Sequence, residues 1–433
     1  MANSLELGTR RTGNLIDFDP TTEPVNVTLE YDEKGIRVVI PWSSTADYYA
    51  SWFLSDEYLG SSNTKKPVPK QLLFDDSHGT VLLVDCWARG FHTNLSSGSG
   101  RVWAKYAIPG IQENTDFLQI NGARSLVSGL HEWLGKRSIE TDVDRESRAL
   151  TVTAKSGSPV LVNSTLSLQP TWGIDHASNN ESITVTDLVY CVSRSADPVD
   201  WTDLTRTHLG LRDLLVLSRW IAESSTVEGA LKLDDPLKTL DGTEHGEQWR
   251  SVTAIQDRPE LMRPAGYRPH LIEFDDIGAN GIDAWLKLRE DFSRALDPVI
   301  SDRFLDRVGP VTHMAQIGPG LEALGYLLLL RDNIPNAQAK NSPLRVRLIR
   351  ILQDVAGSLP FDETEWIEGT VSAYNGIKHA NRKLPSELEL LNRWRESVLV
   401  IRAWVALELG LTPEVVKSRL SRDPQSSPYV ARS

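Results

Sequence analysis

Glu368, Ser372, Asn375, His379 and Arg382 follow one another at steps of four, three, four and three residues. On a continuous helix that spacing gathers them into one polar stripe. They belong to the run Tyr374-Asn375-Gly376-Ile377-Lys378-His379-Ala380-Asn381-Arg382, with Lys378 beside the stripe and Lys383 after it. An imidazole titrates near neutrality and can carry a proton either way. An amide can hydrogen-bond a phosphate or hold the imidazole, and a cation can offset charge that develops on phosphorus. A stripe holding all three suits the handling of a phosphate and a proton together.

The elements that must position this stripe fall into two textures. Up to about residue 200 the chain reads as short strands: 36–40, 79–91, 150–154, 164–168 and 183–192 are β-rich or alternate at period two. Turn clusters separate them, among them Asp32-Glu33-Lys34-Gly35, Ser156-Gly157-Ser158-Pro159 and Ser178-Asn179-Asn180-Glu181. The segment 121–133 reads as a helix or helical turn set among the strands. Residues 205–224 carry leucines at helical spacing, and 225–270 is mixed, with strand pieces and a proline-rich connection at Pro259, Pro264 and Pro269. Beyond it, helices are predicted over 281–295, 312–331, 344–357, 362–380, 386–409 and 412–420. Ser386 and Thr412 are placed as N-caps and Gly410 as a stop. The predicted fold is α+β: an antiparallel β-sandwich-like domain over 1–200, a mixed connecting segment over 201–270, and a helical bundle over 271–433.

Composition narrows the function classes. The net charge of −12 argues against broad, sequence-blind binding to nucleic acid. Residues from 270 onward hold 20 Lys and Arg against 22 Asp and Glu, so the acidic excess lies earlier in the chain. A local basic patch is therefore expected in the helical part, from Arg345, Arg347 and Arg350 on one helix and Lys378, Arg382 and Lys383 on another; a solvated face accounts for either group equally well. Cys86 and Cys191 lie in apolar runs outside any Cys-x-x-Cys motif and are expected as buried thiols. The histidines form no metal-ligand spacing, His131, His270 and His313 included, and Gly318-Pro319-Gly320 lacks the lysine and hydroxyl of a P-loop. Neither metal nor cofactor is expected. Of thirteen tryptophans most belong to cores, while Trp42, Trp87, Trp103 and Trp172 could line a groove in the β domain. Met1 to Arg11 is polar and no window approaches the ~18 apolar residues of a membrane span, so a cytoplasmic setting is expected.

The order of elements resembles the ApeA-like HEPN family. The Asn-x-x-x-His step of Asn375 and His379 late in the fourth helix is similar to that of a HEPN domain, and Leu321-Glu322-Ala323-Leu324-Gly325 is similar to the family's Leu-Glu pair. Ile120-Asn121-Gly122-Ala123-Arg124 through Leu130-His131-Glu132-Trp133-Leu134 is similar to a segment of the ApeA N-terminal domain. The resemblance implies a helical domain that forms a homodimer around one RNA cleft. It implies metal-independent cleavage of RNA, tRNA among the substrates, in abortive infection against phage. It implies an N-terminal domain that senses a phage-derived trigger or restrains the nuclease. Carried over by position, His379 matches the signature histidine and Asn375 the polar residue that follows the signature arginine, whereas the arginine itself falls on Tyr374. A phenol is neutral at pH 7 and cannot replace a guanidinium as a phosphate clamp. Lys378 and Arg382 are the cations that could compensate, Lys383 and Arg345 would extend the RNA contact, and Glu322 would orient a ligand or form a salt bridge. The departure at Tyr374 equally fits a non-catalytic HEPN protein that binds RNA, a nucleotide or a protein partner.

Overall fold

The computed structural model describes residues 3–59, 64–94, 97–111, 115–176, 181–239, 241–255 and 269–431. Pro259 and Pro264 of the expected connection, and residues 178–180 of one expected turn, lie outside them. The fold is α+β, with antiparallel strands in the N-terminal part and helices in the C-terminal part. It divides into two compact units interleaved along the chain, one comprising 1–126, 190–208 and 225–257, the other 127–189, 209–224 and 258–433.

The first unit is built on a sheet that closes on itself. Its strands are β1 (Thr9–Ile16), β2 (Val25–Asp32), β3 (Gly35–Trp42), β4 (Gln71–Asp76), β5 (Gly79–Asn94) and β6 (Ser97–Pro109). They run in the order β6-β3-β2-β1-β4-β5, and β5 pairs with β6 again, so the sandwich-like sheet is in detail a closed barrel. Closure leaves these strands without free edges. Alternation along β3 explains the inside: Ile36, Val38 and Ile40 are fully buried with Leu15, Leu29 and Val102, and Arg37 stands between them on the other face. A short helix, α1 (Asp56–Leu59), adds Leu59 to this core. Trp42 stacks on Phe53 inside it and lines no groove.

A second layer covers one side of the barrel. It contains β7 (Gln119–Val127), the part of β12 (Ile183–Asp200) from Tyr190 onward, β13 (Ser225–Leu231) and β14 (Trp249–Ser251), with the start of α3 (Trp201–Arg219), while β15 (Thr253–Ala254) pairs with β6 of the barrel sheet. Tyr106, Ile108, Phe117, Ile120 and Trp201 form its core. The expected helix over 121–133 is therefore corrected: the chain is a strand to Val127, and only α2 (Leu130–Leu134) is helical. Ile120, Ala123, Ser125 and Val127 are buried, and Asn121 bonds the carbonyls of Ser195 and Ala196, so tertiary pairing decides this stretch. His208 on α3 is buried in this layer, with Ser125 Oγ 2.7 Å from Nδ1 and Ser193 Oγ 2.9 Å from Nε2. Burial holds its pKa down to about 3.

The second unit carries the hairpin of β8 (Ile139–Asp144) and β9 (Ala149–Ala154) and the pair β10 (Val160–Leu161) and β11 (Leu166–His176). Its helices are α4 (Phe274–Asp291), α5 (Ser293–Asp302), α6 (Pro310–Arg331), α7 (Asn336–Asn341), α8 (Leu344–Val355), α9 (Glu363–Lys378), α10 (Glu387–Glu408) and α11 (Pro413–Leu420). The first opens with a short turn at a capping box between Glu273 and Asp276, breaks at Gly278 (φ 57°, ψ −164°), resumes close to the expected start at 281, and gives way at Phe292 to α5. Ser386 and Thr412 are N-caps as the sequence predicts, and Ser386 forms a capping box with Glu389.

Helix α6 is the hub, and three glycines let its neighbours close in. A Cβ on Gly318 would lie 2.2 Å from the Tyr374 ring of α9. One on Gly320 would meet the Ala295 carbonyl of α5 at 2.7 Å, and one on Gly325 would meet Arg347 of α8 at 2.4 Å. Glycine lowers helix propensity, so these positions trade local stability for close packing. Helix α10 packs against α6, α8 and α9, with Val398, Leu399, Val400, Ile401 and Trp404 buried. The buried Arg402 donates to the Leu217 and Ser218 carbonyls at the end of α3 and pairs with Asp423. Among the described residues no helix is long and apolar enough to cross a membrane. Cys86 and Cys191 are both buried and free.

Candidate functional site

The residues singled out by spacing lie at the end of α9. This helix starts at Asp362, whose side chain accepts from the Glu365 amide at 2.7 Å, and Glu363 and Glu365 sit at the positive end of its dipole. Trp366, Ile367, Thr370, Ala373 and Tyr374 form its buried face, and Trp366 donates to Ser397 of α10. The last helical bond runs from the His379 amide to the Asn375 carbonyl at 3.0 Å. His379 itself is extended, with φ −128° and ψ 107°.

The helix thus ends two residues before the expected 380, and the polar stripe ends with it. Glu368, Ser372 and Asn375 keep their helical places, while His379 and Arg382 leave the face. The physical cause is downstream. After His379 the chain closes a turn, with the Arg382 amide donating to the His379 carbonyl at 2.9 Å, and folds back along α9. The Lys383 carbonyl passes where a Cβ on Gly376 would be only 2.7 Å away. Pro385 then disfavours helix at Leu384, and Ser386 opens α10. His379, Arg382 and Lys383 are all exposed in this turn, and Asn375 is half-buried one helical turn before it.

Tyr374 and Lys378 converge on Glu322 of α6. The Lys378 ammonium is 3.1 and 3.2 Å from the two carboxylate oxygens, and the Tyr374 hydroxyl donates to one of them at 3.3 Å. The ammonium also lies 5.0 Å from the centre of the Tyr374 ring. Burial first, and the Glu322 charge second, push the Tyr374 phenol up to about 12, so it stays a donor. Of the two expectations for Glu322, the salt bridge is the one observed, with a lysine as its partner. The lysine beside the histidine is already matched by a carboxylate within its own chain.

The expected basic patch is mostly internally matched. Arg345 pairs with Glu368, so a cation of the patch and an acid of the stripe meet each other. Arg347 donates to the Ala339 and Lys340 carbonyls, and Arg350 pairs with Asp332 and Asp354. Arg382 and Lys383 form no ion pair among the described residues. The cationic character of this region is thereby concentrated in the turn that carries His379.

Two polar clusters were not legible from spacing. Asp302 of α5 accepts from Trp394 of α10 at 2.7 Å and sits 2.8 Å from Nδ1 of His313 on α6. His313 therefore has a carboxylate orienting it, as catalytic histidines do, although among the described residues no nucleophile is bonded to it. The Ser125–His208–Ser193 cluster resembles a catalytic arrangement by residue type alone. His208 is fully buried, so substrate cannot reach it and the cluster serves the core.

No curated protein and no solved structure matches the chain. Residues 15–220, from the first barrel strand to the end of the helix after β12, match the family model described as ApeA N-terminal domain 1, so this part of the chain is similar to an ApeA N-terminal domain.

Proposed function

We propose that the chain is an ApeA-like antiphage-defence protein whose helical part acts as a HEPN-type, metal-independent ribonuclease. The observation that carries this reading is the exposed turn after α9. It holds His379, the match to the signature histidine, together with Arg382 and Lys383, which form no ion pair among the described residues. In the proposed reaction the substrate's 2′-hydroxyl loses its proton and attacks the adjacent phosphorus. The P–O5′ bond breaks, and a proton passes to the leaving 5′-oxygen. The products are a 2′,3′-cyclic phosphate and a 5′-hydroxyl. His379 performs one of the two proton transfers, and the same residue of a second copy, across a homodimer formed by the helical part, is suited to the other. Arg382 offsets the charge on the phosphorane, Asn375 hydrogen-bonds the phosphate, and Lys383 extends the contact along the strand. The ApeA-like domain senses a phage-derived trigger or restrains cleavage.

A second reading is binding of RNA, a nucleotide or a partner without cleavage. It is favoured by the Tyr374–Glu322–Lys378 cluster, which occupies the signature arginine position with a buried phenol and ties up the nearest lysine. Incubation of the full chain with total tRNA in excess EDTA, beside His379→Ala, separates the two. Cleavage by the wild type alone, leaving cyclic phosphate ends, supports the ribonuclease. Intact tRNA retained equally by both proteins supports the binding reading, and equal cleavage by both sinks the assignment to His379.

A further inference from the structure

The outer face of the barrel presents a cationic groove that the ribonuclease reading does not use. Across three adjacent strands, Glu30 of β2 pairs with Arg37 of β3, and Arg37 pairs with Trp103 of β6. Arg37 is saturated: its guanidinium is 2.7 Å from both Glu30 and Asp32 and lies 5.2 Å from the Trp103 ring centre. Two residues along β6, Arg101 projects from the same face. It pairs with Val39 on one side and faces the β5 irregularity between Ala88 and Phe91 on the other. That irregularity holds Arg89 and Gly90, where the backbone turns left-handed at φ 82°. Lys34, at the β2–β3 turn, closes the groove, which has a volume of about 530 Å³.

Lys34, Arg89 and Arg101 are exposed and form no ion pair among the described residues. The carboxylates beside the groove, Glu30 and Asp32, are both taken by Arg37, and Asp32 also lies within reach of the Lys34 charge. Arg89 and Arg101, with Lys34 at the edge, put like charges around a half-exposed indole that repel one another, in the part of the chain that carries the acidic excess. An anion that bridges them removes that repulsion. Guanidinium groups suit phosphate oxygens, an indole suits a planar base, and the volume lies in the range of small-ligand sites.

We propose that this groove binds a free nucleotide, with its phosphates held by Arg89, Arg101 and Lys34 and its base packed against Trp103. The test is titration calorimetry of the full chain with ATP, with pyrophosphate, and with a 2′-O-methyl RNA octamer that resists cleavage. ATP binds in the expected result, and Arg89→Glu/Arg101→Glu weakens it at least about tenfold, the loss of one or two charge-assisted contacts. Trp103→Ala weakens ATP but leaves pyrophosphate unchanged. Lys34→Glu, in an exposed turn, weakens ATP in the same direction and stands in if the double variant misfolds. The proposal is overturned by unchanged ATP affinity in the charge-reversed variants or by no ATP binding at millimolar concentration. It is also overturned if the octamer binds this groove far more tightly than ATP, since that makes it a polymer track. None of these outcomes depends on His379, so the nucleotide site and the ribonuclease stand or fall separately.

Discussion

Acid should destabilise this protein through His208, and the structure sets the size of the effect. The imidazole is fully buried between Ser125 and Ser193, with a folded pKa held down to about 3 against an ordinary 6.5. Both serine hydroxyls can accept from a protonated ring, so burial of the charge, not loss of hydrogen bonds, opposes protonation. At pH 7.5 the residue is neutral folded and unfolded and has no linkage effect. As pH falls below 6.5 the unfolded chain takes up the proton and the folded chain does not, so stability falls with pH. At pH 5 the unfolded state is about 97 % protonated here and the folded state about 1 %, a loss of about 2 kcal/mol, rising to about 4 kcal/mol near pH 3. Replacing His208 with Gln keeps an amide donor and acceptor for the two serines but removes the titration. Urea unfolding of the wild type and His208→Gln at pH 7.5 and pH 5, followed by tryptophan fluorescence, isolates this contribution because other acid-sensitive groups are common to both. The wild type should lose about 2 kcal/mol more than the variant across that interval. Parallel pH profiles would falsify the argument, as would a His208 ring resonance that titrates above pH 5.

Three further outcomes follow from geometry already described. Glu322→Gln removes the carboxylate partner of Lys378, so the salt dependence of RNA binding should steepen by about 0.7 in log–log slope, measured by filter binding of a 2′-O-methyl oligonucleotide. The half-exposed ion pair itself contributes under about 1 kcal/mol, so thermal stability should barely change. Ser386→Ala removes the capping box of α10 and should lower unfolding free energy by about 1 kcal/mol in urea, whereas Ser386→Asp should retain most of it. Burial pushes both the Cys86 and Cys191 thiols up, so neither should react with a thiol reagent at pH 8 until the chain is unfolded.

What could be read from the sequence was what short-range chemistry decides. The alternation in 36–40 marked β3, and Ser386 and Thr412 marked the starts of α10 and α11, because strand faces and N-caps depend on residues within a few positions. Barrel closure depends on β5 meeting β6 after β4 has met β1, a matter of register between distant strands, and no local pattern encodes it. The segment through Val127 is a strand where local pattern predicts a helix or helical turn, because its strand state rests on partners some seventy residues away. The end of α9 was misplaced for a similar reason: the helix stops where the returning chain presses on Gly376, not at a terminator in its own sequence. At the candidate site, residue type and spacing pointed to His379, Arg382 and Lys378, and the family resemblance to Glu322. That Glu322 would take Lys378, and Glu368 would take Arg345, required the packing of α6, α8 and α9.

Helix α6 fixes the position of its neighbours by atoms it does not have. Tyr374 can sink against α6 only because position 318 is bare, and α9 carries its final turn, with His379 just beyond it, from that anchor. The same helix gauges the approach of α5 at Gly320 and of α8 at Gly325. An added methyl group at any of the three would act as a shim, and at Gly318 the displacement would be passed along α9 to the turn that holds the imidazole. The placement of the candidate site is therefore set some sixty residues upstream, in a helix that contributes the Glu322 side chain to its surroundings.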